Sequence, residues 1–162
     1  DSKWRGRRMD GLQELLQNDI LWAGILSWFT AQVVKTILYA VLNKTLDFTR
    51  LVGDGGMPSA HSATVTAVAA MTGLSCGFGS PLFAVACIVA IIVMHDAMGV
   101  RLETGKQAKL LNEMVALFEA LGQPKLSMEK RLKEFVGHTP SQVIAGMLLG
   151  ISVAVIYFYV FL

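Results

Sequence analysis

Residues Gly53–Ala67 read GDGGMPSAHSATVTA and lie directly between two strongly apolar runs. Three glycines, a proline, two serines and a histidine crowd into this stretch, which is loop chemistry delivered to the mouth of a helix. Glycine lets backbone N–H groups close on an anion, and a helix beginning near Ser59 points its positive end at the same spot. Ser59 can cap that helix or donate to a bound oxygen, and His61, one turn in, can give or take a proton near neutral pH. A phosphate uses all of these groups at once. Taken alone, Pro58-Ser59-Ala60-His61 also reads as a simple N-cap followed by an interfacial polar residue. A matching constellation in the second half of the chain favours the phosphate.

Working outward, 54% hydrophobic against 16% charged residues and a mean hydropathy of +0.54 describe an integral membrane protein of one domain. The leading DSKWRGRR is out of character, and Met9 follows it, so residues 1–8 read as an appended remnant and 9–162 as the membrane domain. Setting them aside removes four of 14 basic and one of 12 acidic residues and turns the formal charge from +2 to −1. Nothing then rests on the pI of 8.6, and no nucleic-acid partner is called for. Cys76 and Cys87 both lie in apolar context and read as small core residues. The first apolar run is too long, and lacks the small-residue site, for a cleavable signal.

Four spans are expected, at Ile20–Leu42, His61–Gly77, Leu82–Met94 and Pro140–Leu162. Residues 9–19 form a short amphipathic lead-in. Lys35 sits inside the first span about two turns from its end, where it either snorkels toward the loop or attracts a phosphate. The second span is rich in Ala, Thr, Val and Ser, and the fourth carries the pair Gly146 and Gly150, a candidate packing face. Both small-residue faces could also pair with a second copy of the chain. Between the third and fourth spans, an insertion over 102–137 holds an amphipathic helix marked by Leu110, Leu111, Met114, Val115, Leu117, Phe118 and Leu121, packed on the protein or on the membrane surface. A short charged helix, Met128–Val136, follows it.

With four crossings, the glycine-rich loop and the segments around Arg101 and His138 emerge on one side, and both termini on the other. Lys44, Arg50, Arg101, Lys106, Lys109, Lys125, Lys130, Arg131 and Lys133 share the first side, which the positive-inside rule makes cytoplasmic. His61, His138, Arg101, Arg50, Lys35, Ser59 and Asp96 therefore gather at one face. Two imidazoles, cations and an anion cradle suit phosphoryl transfer through a phosphohistidine. One ring attacks phosphorus, the other protonates the leaving oxygen, and guanidinium groups hold the equatorial oxygens. This scheme needs neither metal nor cofactor. Zinc, the rival use of two histidines, lacks cysteine partners and His-Glu-x-x-His spacing here.

The loop Gly56-Met57-Pro58-Ser59-Ala60-His61-Ser62 resembles the Pro-Ser-Gly-His signature of the type 2 phosphatidic acid phosphatase and vanadium haloperoxidase superfamily. Gly137-His138-Thr139-Pro140-Ser141-Gln142 resembles its third signature, whose histidine precedes a helix opening with an acidic residue four positions on. With Asp96-Ala97-Met98-Gly99-Val100-Arg101 and Gly105-Lys106-Gln107-Ala108, nearly all of residues 9–162 is similar to the small divergent branch of that superfamily. The resemblance implies His138 as nucleophile, His61 as general acid, and Ser59 with the Ala60 and His61 backbone as part of the phosphate cradle. Arg101 matches the arginine that opens the third signature, which the insertion here separates from the histidine.

Three departures bear on activity. Ala60 replaces a glycine. The lysine-to-Arg-Pro first signature is missing, leaving Lys35, Lys44 and Arg50 as candidates for its work, with Lys35 and Arg50 preferred. Gln142 stands where the superfamily has a carboxylate; an amide can fix the histidine tautomer but cannot stabilise an imidazolium. Asp96 is the candidate substitute, so that Asp96→Asn should abolish turnover and Gln142→Asp partly restore it. The expected function is hydrolysis of a lipid phosphate or diphosphate at the membrane. The alternative is a catalytically silent scaffold or transport component that binds phospholipid or phosphate. Haloperoxidase activity, which shares the anion pocket, would require bound vanadate.

Overall fold

The computed structural model describes residues 11–44, 56–121, 132 and 137–162. Residues 1–8, Arg50 and the Met128–Val136 helix, Leu132 apart, lie outside the described residues. Helix α1 spans Asp19–Asn43, α2 Ala60–Cys76, α3 Pro81–Met98, α4 Val100–Ala120 and α5 Pro140–Phe161. No strand occurs among the described residues, so the all-α expectation holds.

Local chemistry sets the helix ends. Asn18, Ser59 and Ser80 cap α1, α2 and α3, each accepting from the backbone N–H three residues on. Pro81 and Pro140 occupy the first turns of α3 and α5, where the missing N–H costs nothing. Gly77, with φ of 89°, stops α2 in a backbone region closed to most side chains.

The α1 helix, the helical run beginning at Pro81 and α5 are each long and apolar enough to cross a membrane. Helix α2, at 17 residues and about 25 Å, is shorter and occupies the centre, packed against α1, α3 and α5. Its neighbours shield it from lipid, so it can carry Ser62, Thr66 and Thr72 as buried residues. Four apolar helices were expected, and four are found, three of which qualify as spans on their own length and hydropathy.

Small residues allow this packing. A Cβ added at Gly146 would lie 2.3 Å from the Ser59 carbonyl oxygen, and one at Gly150 2.2 Å from that of Ala63. The Gly146/Gly150 face is therefore occupied by α2 of the same chain. A second copy would have to use another surface. Hydroxyls add interhelical ties: Ser27 Oγ donates to the Ala63 carbonyl at 2.9 Å, and Thr66 Oγ1 to that of Met147 at 3.3 Å. Ala31 packs on Ala60 and Ala63, and Ala23 shares a cluster with Ala67, Met71 and Ala154. Together these contacts run α1 antiparallel, and α5 parallel, to α2.

One element departs from expectation. The amphipathic helix, expected within the insertion 102–137, begins at Val100, separated from α3 only by Gly99, and it runs for 21 residues. Its Leu110, Leu111, Leu117 and Phe118 remain exposed. Of its two expected settings, an apolar face left open suits the membrane surface.

Candidate functional site

Four helix ends converge where the loops were expected to meet: the C-terminal part of α1, the start of α2, the end of α3 and the start of α5. Backbone bonds hold them. Ser59 N donates to the Gln142 carbonyl and His138 N to the Ala97 carbonyl, both at 3.0 Å. Gly137 makes the second contact possible, since a Cβ there would fall 2.2 Å from Leu102 Cα. Further out, the Asn112 side chain clasps the Leu132 backbone with two hydrogen bonds, of 3.0 and 3.1 Å, and so ties the returning chain to α4.

His61 and His138, 77 residues apart in sequence, meet here with ring centroids 6.1 Å apart and planes inclined at 61°. His138 is buried, whereas His61 is exposed. His138 Nδ1 lies 3.2 Å from Gln142 Oε1. That oxygen also accepts from Thr139 N at 3.1 Å, which fixes the amide orientation. An amide oxygen only accepts, so Nδ1 carries a proton, and in the neutral ring the lone pair falls on Nε2.

The remaining candidates divide. Lys35 is buried, at 5% exposure, and its stem packs on Gly56, where a Cβ would meet it at 3.4 Å. It therefore belongs to the glycine loop and does not stretch outward to water. Ala60 opens α2 and is buried among Ala31 and Ala63; its amide and that of His61 belong to the helix's first turn, which has no intrahelical acceptors. Ser59 is fully buried, and its Oγ accepts from Ser62 N at 3.3 Å and from Ser62 Oγ at 3.0 Å. Its side chain caps α2.

Asp96 is engaged close to home. Its carboxylate bonds Arg101 Nε at 2.8 Å, and Gln142 is the group placed on His138 Nδ1. The physical reason is local: Asp96 and Arg101 stand on either side of Gly99, five residues apart, and find each other before either reaches across the bundle. The Arg101 side chain is thus directed to Asp96, while its backbone lies against Gly137. Among the described residues, no group of three His, Cys, Asp or Glu side chains is placed to hold a metal ion.

Sequence reasoning named Gly137 within the third signature but not its close backbone approach to Leu102, and it missed Asn112 and the Ala97 carbonyl. A glycine directly before a histidine is a signal for close backbone approach and could have identified the first. The Asn112 clasp and the Ala97 contact join segments distant in sequence and leave no local pattern.

Fold and site define an all-helical integral membrane protein with a paired-histidine cluster at one end of its bundle. A family model described as the Divergent PAP2 family matches residues 16–153, and the chain belongs to that family. A relative in Bacillus subtilis (strain 168), the uncharacterized membrane protein YuiD, is 40% identical over 157 residues, covering 92% of this chain and 99% of its own length. No solved structure matches the chain.

Proposed function

We propose that this protein is a membrane phosphatase that hydrolyses a lipid phosphate or diphosphate through a phosphohistidine. The approach of His61 to His138, with Gln142 on the far nitrogen of His138, is the observation that carries this reading. His138 Nε2 attacks phosphorus and the phosphorus–oxygen bond to the lipid breaks, while protonated His61 gives its proton to the departing oxygen. Water then attacks the phosphohistidine, returns a proton to His61 and releases phosphate with His138 restored. The exposure of His61 suits a group that exchanges protons with solvent; the buried, oriented His138 suits a nucleophile. Lys35, Arg50 and, on turning from Asp96, Arg101 supply positive charge for the phosphoryl oxygens, and the first amides of α2 add theirs.

A lipid substrate follows from the setting, at one end of a bundle of apolar helices. The excess of basic residues at that end, Lys44, Arg101, Lys106 and Lys109 among them, orients the site to the cytoplasm and the termini to the opposite side.

The deciding assay measures phosphate release from phosphatidic acid, phosphatidylglycerol phosphate and polyprenyl diphosphate by purified protein. Wild type should turn over at least one of them, and His138→Ala should lose about a thousandfold or more. A second reading, a silent phosphate-binding membrane component, is favoured by the neutral amide on His138 and by the engagement of Asp96 with Arg101. Vanadate binding with no turnover of any substrate would select it.

A further inference from the structure

Among the described residues, Gln32 Oε1 is the buried side-chain polar atom without a hydrogen-bond partner, in a residue only 6% exposed. Leaving a buried acceptor unsatisfied costs about 1–3 kcal/mol, a penalty that a donor arriving from outside the chain would relieve. Its location identifies the kind of donor. The α1–α2 register pairs Ser27 with Ala63, Ala31 with Ala60, and Lys35 with Gly56. Gln32 stands one turn before Lys35 on the buried side of α1, level with the first turn of α2, where Ser59 and Ala60 precede His61. A cation and a neutral acceptor are therefore stacked along α1, the first beside the glycine loop and the second one turn deeper into the bundle.

The geometry points to Gln32 as a specificity-determining residue that accepts a hydrogen bond from a hydroxyl of the substrate's alcohol, on the carbon next to the phosphate ester. This inference rests on the phosphatase reading and narrows it. The favoured substrates are phosphate esters of polyols, because the phosphate, held by cations and helix amides, needs no further acceptor. A hydroxyl one carbon beyond it does. Phosphatidylglycerol phosphate carries such a hydroxyl on its headgroup, and lysophosphatidic acid exposes one on its own glycerol. Phosphatidic acid and polyprenyl diphosphate have none.

The test compares kcat/KM for phosphatidic acid, lysophosphatidic acid and phosphatidylglycerol phosphate in mixed micelles, using wild type, Gln32→Leu and Gln32→Met. Both variants fill the site without the amide, and removing an unsatisfied buried polar group leaves folding intact or improved. Wild type should favour one or both hydroxyl-bearing lipids, and which of them it favours tells headgroup from backbone glycerol. Both variants should lose that preference by about tenfold, the worth of one neutral hydrogen bond, with activity on phosphatidic acid retained. Unchanged discrimination in both variants overturns the proposal while the phosphatase reading stands. A uniform fall in kcat across all three lipids assigns Gln32 to the hydrolytic water and likewise overturns it. Wild type no more active than His138→Ala on any lipid overturns both readings together.

Discussion

Gln142 serves two masters with one oxygen: it completes the start of α5 by accepting from Thr139 N, and it holds the Nδ1 proton of His138. The sequence already implied that an amide could set the tautomer without stabilising a charge. Geometry refines the rescue experiment. Aspartate, one methylene shorter, would fall short of a contact already at 3.2 Å, so Gln142→Glu is the better variant. A carboxylate there favours the imidazolium, and the nucleophile is the neutral ring, so the acid limb of the pH–rate profile should move to higher pH. Turnover above that limb should rise about tenfold or more, read from kcat/KM against pH. Asp96→Asn has the opposite prognosis to the one drawn from sequence. Its pair with Arg101 is close to half exposed, and such pairs contribute about 0.2–1 kcal/mol, so phosphate release should stay within about fivefold of wild type. Complete loss of activity in that variant would return Asp96 to the catalytic set.

Among the helices, α2 carries the greatest burden, since every other apolar helix packs on it. Its small residues were legible as a packing composition, and so was the G-x-x-x-G pair of α5. Their mutual contact was not, because each face suits any close-approaching helix, including one from another copy. The distances now commit the pair. Gly150→Val would drive a β-branched side chain into the Ala63 carbonyl and Thr66 Oγ1, within 2.3 Å of the position its Cβ would take. The helices must separate to admit it, at a cost of about 2 kcal/mol or more. A drop in the unfolding midpoint measured in detergent, with Gly79→Val as a control where a Cβ meets nothing within 4 Å, checks this. The amphipathic α4 was legible as a stripe, but its start was not. Gly99 alone separates the two helices, so α4 begins ten residues before the first residue of that stripe, Leu110.

For the molecule as a whole, the bundle places the α2 C-terminus and the end of α5 away from the histidines, at the end where Tyr157 OH donates to Asp19 at 3.1 Å. In the proposed orientation, the exposed Cys76 belongs to the outer side and Lys44 to the inner. A membrane-impermeant maleimide applied to intact cells should label Cys76. A Lys44→Cys variant on a Cys76→Ser background should react only after permeabilisation. The reverse pattern would invert the orientation while leaving the bundle as described.

What the chain determined by itself is the class: apolar runs of spanning length, capping residues at the starts of the helices, and two histidines delivered to one end by the order of the hairpins. These are local or counting properties, and hydrophobic length, side-chain caps and chain alternation suffice to set them. Tertiary structure decided which groups touch. That Gly137 admits the α4 backbone, that Gly146 and Gly150 receive α2 and that Gln32 is left with an unanswered acceptor all depend on the rotational phase of packed helices. A shift of one residue turns a helix by about 100°, and only close packing against neighbours distant in sequence selects the phase.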